Sequence, residues 1–148
     1  MIAIHVLDLG FVKLPDWHPR SADGTCPIQA VAIGHPDGVI VFDTGVADDH
    51  PIVNEWYEPT VVPVADALAA VDVDERDVVA IVNSHLHFDH CGQNRSFPSV
   101  PVWAQRSEYD LVDTPRFTVP EWAHVADDRL RSIDGDEQLA DGVRIVAT

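Results

Sequence analysis

The chain has 148 residues, 46% of them hydrophobic, and sets 9 Lys+Arg against 25 Asp+Glu for a formal net charge of −16. That length and apolar content suit one globular domain that buries its own core without disulfides. A surface this acidic repels phosphate backbones and argues against a nucleic-acid partner.

Two cysteines, Cys26 and Cys91, lie far apart without C-x-x-C spacing, which excludes a disulfide scaffold and suits a reducing compartment. No apolar run approaches the roughly 18 residues that span a bilayer, so no membrane association is expected. The first residues lack a basic leader and carry His5 and Asp8. They read as a strand instead of a signal peptide, and a cytoplasmic protein is the expectation.

In chain order, Ile2 to Leu9 alternates apolar residues at Ile2, Ile4 and Val6, the pattern of a half-buried strand. A loop rich in Pro, Gly and Asp follows through Pro27. Ile28 to Ile33 and Val39 to Phe42 are β-rich runs flanking His35-Pro36-Asp37-Gly38, a hairpin signal. The second run ends in Phe42-Asp43-Thr44-Gly45, where the chain must turn. After a polar and aromatic loop, Pro63 to Val71 reads as a helix with proline in its first turn and Val64, Leu68 and Val71 on one face. Val78 to Val82 is an unbroken apolar run, the mark of a strand covered on both faces. Val100 to Ala104 reads as a strand, Arg106 to Leu111 as a helix, and a Pro-rich stretch runs on to Arg131. Glu137 to Thr148 forms two β runs around Asp141-Gly142. This mixture predicts layered α/β packing.

Directly after the apolar strand comes Ser84-His85-Leu86-His87-Phe88-Asp89-His90-Cys91. On a helix, His85 and His87 would project to opposite sides; on extended chain, residues two apart point the same way and can converge on one ion. A turn is then needed to bring in Asp89 and His90, and the small pair Cys91-Gly92 permits close backbone packing there. Imidazole with carboxylate suits zinc, and also iron, manganese or cobalt. Asp43 is expected to accept a hydrogen bond from a ligand histidine and so fix its tautomer. Cys91 is expected to pack beside the site instead of binding metal, and His5, His18, His35, His50 and His124 are scattered.

The run His85-x-His87-x-Asp89-His90 after a buried strand, with Phe42-Asp43-Thr44-Gly45 upstream, resembles the signature of the metallo-β-lactamase superfamily. The wording of the motif and Trp103-Ala104-Gln105-Arg106-Ser107-Glu108-Tyr109 are most similar to its N-acyl-homoserine lactonase, quorum-quenching branch. The resemblance implies an αββα sandwich, residues 1–148 being the N-terminal part of one such domain. It implies two divalent metal ions, with Zn2+ expected, His85 and His87 on the first and Asp89 and His90 on the second. It further implies hydrolysis of a lactone or ester small molecule by a metal-bridged hydroxide, with Asp89 orienting or receiving the proton. In this family a third histidine, a bridging aspartate and a last histidine come from later segments, so this chain alone is expected to show negligible turnover. Thioester hydrolysis of the glyoxalase II type is the alternative chemistry. A non-catalytic metal-binding or interaction fragment is the alternative of another class.

Overall fold

A computed structural model gives the fold of residues 2–148. Its elements are β1 (Ala3–Lys13), β2 (Thr25–His35), β3 (Gly38–Phe42), α1 (Pro51–Tyr57), β4 (Thr60–Val61), α2 (Val64–Ala69), β5 (Val78–Val82), α3 (Phe88–Cys91), β6 (Val102–Gln105), α4 (Arg106–Tyr109), α5 (Pro120–Ala123), β7 (Leu130–Ile133), β8 (Glu137–Ala140) and β9 (Val143–Ile145). Seven strands form one mixed sheet in the order β4-β1-β2-β3-β5-β6-β7, and β8 pairs with β9 in a separate hairpin. β1, β2 and β3 are antiparallel neighbours, whereas β3, β5, β6 and β7 run parallel. Parallel neighbours need crossover connections, and the segments holding α2, α3, α4 and α5 supply them.

Two cores follow from this layering. The larger lies between the sheet and the helices and contains Leu9, Val41, Val64, Leu68, Ile81, Leu86 and Trp122. The smaller joins Ile40, Ala80 and Val82 on the opposite sheet face to Leu139, Val143 and Ile145 of the hairpin. His35 Nε2 meets the Asp141 carbonyl at 3.0 Å and ties the hairpin's turn to the end of β2. Helices, seven-stranded sheet and hairpin are thus stacked in that order, a mixed α/β arrangement with the sheet at its centre.

The strand pattern in β1 needs a correction. Ile4 and Val6 are 69% and 63% exposed, while Leu7, Leu9 and Val12 are buried. Both faces of this strand are apolar, so alternation alone does not say which parity turns inward. The helices decide it by packing on the Leu7 and Leu9 side. The register shifts between Asp8 and Phe11, which is how Val12 joins the same face as Leu9 despite the odd spacing. Gly10 makes the shift possible: its φ is +95°, and a Cβ there would lie 1.8 Å from the Thr60 carbonyl oxygen of β4.

Other boundaries moved for similar reasons. β2 starts at Thr25, inside the expected loop, because Thr25, Cys26 and Pro27 pair with the far end of β1. α1 occupies part of what reads as a loop; only Val53 in it is fully buried, so it shows little helical periodicity, although Pro51 stands in its first turn. The Pro-rich stretch contains α5 and leads into β7, which extends the sheet beside β6. α4 stops at Tyr109, short of the expected Leu111.

The parity assignment is directly checkable by urea denaturation. Leu9→Ala should cost about 2–5 kcal/mol of stability, the range for a fully buried leucine. Ile4→Ala should cost no more than about 0.5 kcal/mol, as at exposed sites.

Candidate metal centre

β3 and β5 are parallel neighbours in register, with Phe42 beside Val82, so the loops leaving their carboxyl ends emerge side by side. One loop begins with Asp43 and the other with Asn83-Ser84-His85. Asp43 takes a left-handed backbone, φ +62°, which aspartate and asparagine tolerate better than most residues. Its amide donates to the Val82 carbonyl at 2.8 Å, and its buried carboxylate turns toward the histidine loop.

That carboxylate accepts hydrogen bonds from the Ser84 amide, the Ser84 hydroxyl and His90 Nδ1, each at 2.8 Å. A carboxylate only accepts, so the single hydroxyl proton of Ser84 is committed to Asp43. Ser84 Oγ also lies 3.0 Å from His85 Nδ1, and with its proton spent it must accept there. Asp43 therefore fixes two imidazoles, His90 directly and His85 through Ser84. In their neutral forms both then carry the proton on Nδ1, which directs both Nε2 lone pairs outward, the form a metal ligand needs.

The remaining donors stand close by. The His85 ring centroid is 4.0 Å from that of His90 and 4.7 Å from that of His87. His87 leads into α3 with its ring centroid 5.0 Å from that of Phe117 in a tilted pair, while Asp89 in the first turn of α3 has a carboxylate oxygen 3.6 Å from His90 Nε2. Among the described residues no three His, Cys, Asp or Glu side chains stand at closed ligating geometry. The four donors form an open cluster whose chemistry, imidazole plus carboxylate, fits a divalent cation.

The two oriented histidines are pushed apart electrostatically. Burial lowers the pKa of His85, and the neighbouring His90 and His87 lower it further, favouring the neutral ring. Burial also acts to lower His90, but its hydrogen bond to Asp43 and the nearby Asp89 charge outweigh it, so the pKa of His90 is raised. Adjacent groups displaced in opposite directions are characteristic of functional sites.

The α3 exit is packed against the Asp43 turn. The Gly92 amide donates to the Gly45 carbonyl at 2.7 Å, and a Cβ on Gly92 would lie 2.7 Å from the Ala47 nitrogen. The His90 carbonyl accepts from the Thr44 amide at 2.8 Å and from the Asn83 side chain at 3.0 Å. Glu108, in α4, accepts a hydrogen bond from the Leu86 amide at 3.0 Å and pins the loop between His85 and His87. Asn83, Ser84 and Glu108 are participants that sequence reasoning did not single out. A serine next to a histidine carries no signal of its own, and Glu108 reaches the loop only through the β5–β6 pairing.

His124 lies outside the cluster and pairs with Asp113 at 2.8 Å. Cys91 is fully buried and its thiol donates to the Leu86 and His87 carbonyls at 3.5 and 3.3 Å. Burial, then the Asp89 and Asp43 charges, push its pKa up to about 12. Iodoacetamide at pH 8 should therefore modify only the partly exposed Cys26 in the folded chain, by mass spectrometry, and both cysteines in urea.

The family model of the Metallo-beta-lactamase superfamily matches residues 23–144. An N-acyl homoserine lactonase of Bacillus sp is 27% identical over 135 residues, covering 82% of this chain and 53% of that protein. The chain thus spans about half the length of the curated relatives it matches. A crystal structure of B. thuringiensis AiiA, a mutant with N-decanoyl-L-homoserine bound at its active site, superposes with a TM-score of 0.75 at 22% identity, over 97% of this chain and 64% of that one. The dizinc quorum-quenching lactonase AidC, in complex with a product, superposes at 0.69 and 16% identity, over 95% and 60%. The fold is shared with these structures, and with most of its length inside the matched domain the chain belongs to the metallo-beta-lactamase superfamily.

Proposed function

We propose that this chain carries the metal-binding strand ends of a metal-dependent hydrolase acting on a lactone or ester, with His85, His87, Asp89 and His90 as the ligands. The observation that carries the reading is the Asp43–Ser84 network, which leaves bare Nε2 atoms on two adjacent histidines. A cluster of histidines kept merely for packing needs no such common orientation. Divalent cations, zinc by the donor chemistry and by analogy with the dizinc relative, would supply Lewis acidity toward water and the substrate carbonyl. The curated relatives named as N-acyl homoserine lactonases support a lactone as the small-molecule substrate.

Hydrolysis adds water across the acyl C–O bond. The water oxygen joins the acyl carbon, the C–O bond to the leaving oxygen breaks, and that oxygen takes up a proton. Asp89 is the carboxylate beside the cluster that is not engaged by Ser84, and it is assigned the task of orienting the water or carrying its proton. Asp43 is fully engaged and holds the histidines in place.

The test is made on the protein expressed from its complete reading frame. It should take up zinc and open N-hexanoyl homoserine lactone, with His87→Ala reducing kcat/KM by at least about 100-fold, a few kcal/mol of lost stabilisation. Faster cleavage of a glutathione thioester would replace the lactone by the glyoxalase-type substrate. Stoichiometric zinc with neither substrate cleaved would overturn the hydrolase reading.

Asp43→Asn separates orientation from folding, because asparagine also accepts the left-handed backbone at this position. Zinc affinity should fall by about 10–100-fold by competition with a chelating dye. The urea midpoint should stay nearly unchanged.

A further inference from the structure

Beside the donor cluster lies a cavity of about 380 Å3, of the size that takes small ligands. His87 and Asp89 form one side of it, Val12, Leu14 and Phe88 give apolar wall, and Arg20 and Arg116 line it as well. Its charge runs against that of the chain. With 25 Asp+Glu and 9 Lys+Arg overall, a random wall would be acidic. This wall contains a single carboxylate, Asp89, which belongs to the donor cluster.

Arg116 is distinguished from every other cation. Lys13 and Arg20, Arg76, Arg95, Arg106 and Arg144 each pair with a carboxylate. Arg129 and Arg131 donate to backbone carbonyls. Among the described residues, Arg116 is the only cationic side chain with neither kind of partner, and it faces the cavity beside the metal-side donors. Arg116 is solvent-exposed where it lines the cavity, and its guanidinium fork matches a carboxylate bidentately.

We propose that this cavity takes a substrate bearing a carboxylate at a distance from its scissile bond, a carbon chain on the apolar wall with its charged end on Arg116. Arg116 is then the residue that selects between charged and neutral substrates. The assignment rests on the hydrolase reading, which supplies the scissile bond, and it narrows that reading to anionic lactones or esters. The overall negative charge of the chain repels such a substrate at long range, so selection must come from this short-range contact and must survive in high salt, where the long-range repulsion is screened.

Hexanoate and its neutral counterpart hexanamide provide the probe, titrated into the metal-free 148-residue chain at pH 8 in 0.3 M salt and followed by amide shifts of Phe88, Arg116 and Thr118. Hexanoate should bind at least about fivefold more tightly, the scale of one charge-assisted hydrogen-bonded pair. The preference should vanish in Arg116→Met, persist in part in Arg116→Lys, and remain whole in the control Arg131→Met. Equal binding of the two probes, or a preference that survives Arg116→Met, overturns the assignment. Zinc uptake is measured separately on the protein expressed from its complete reading frame. Zinc uptake without hexanoate preference removes the carboxylate subsite and leaves the hydrolase reading standing. Hexanoate preference without zinc uptake by the protein expressed from its complete reading frame keeps the subsite and removes the metal-dependent hydrolase.

Discussion

The carboxylate of Asp43 is the contact on which the arrangement of this site depends. It is buried, its backbone is left-handed, and it accepts from Ser84 twice and from His90 once. A buried charge is costly unless hydrogen bonds replace the water it has lost. Here the donors that satisfy it are the same groups that orient the histidines, so solvating the charge and setting the tautomers are one act. Any rearrangement that swung His90 away would also leave a buried carboxylate short of a donor.

The sheet makes that contact possible. Two parallel strands, β3 and β5, end side by side, and the crossover between them places Asp43 and Ser84 within hydrogen-bonding distance although 41 positions separate them. The carboxyl ends of parallel strands are the usual place for ligands in α/β sheets, because the loops there converge while the strands beneath stay rigid. α3 then folds back onto the Asp43 turn, and Gly92 lets the two backbones touch. Asn83, Thr44 and Asn94 close the space below with side-chain hydrogen bonds of 2.8 Å between Thr44 and Asn94 and between Asn94 and Asn83. The site is therefore held by short polar links built into the strand ends, with the apolar core beneath them.

The charge distribution has a similar division of labour. Most acidic residues lie on the outside, where ion pairs such as Lys13–Glu58 and Arg106–Asp134 are exposed and contribute little. Three of the carboxylates partly or fully withdrawn from water, Asp43, Asp89 and Glu108, are gathered around the histidine loop. Opposite displacements of His85 and His90 arise there from burial and neighbouring charge together, within a few ångströms. In the cavity beside them Arg20 and Arg116 outnumber the one carboxylate, Asp89.

Much of this was legible in the sequence. The β2–β3 hairpin, α2, β5 and the closing hairpin are local: turn chemistry and a single periodic pattern specify each, and they appear nearly where the pattern puts them. The spacing of His85, His87, Asp89 and His90 argued against one helix through all four, and the chain runs through a non-helical, bending loop at His85 and His87 before α3 carries Asp89 and His90. What the sequence left undetermined were choices between equal local options. β1 is apolar on both faces, and only the helices packed above it decide that Leu7 and Leu9 turn inward while Ile4 and Val6 stay out. Ser84 and Glu108 act through hydrogen bonds to residues brought near by strand pairing, and Arg116 is set apart only by the partners it lacks, none of which composition can reveal. The sequence by itself determined which chemistry the chain can offer, because ligand type and spacing are local properties. The tertiary structure alone decided how those groups are oriented and what surrounds them, because hydrogen bonds and burial depend on neighbours distant in the chain.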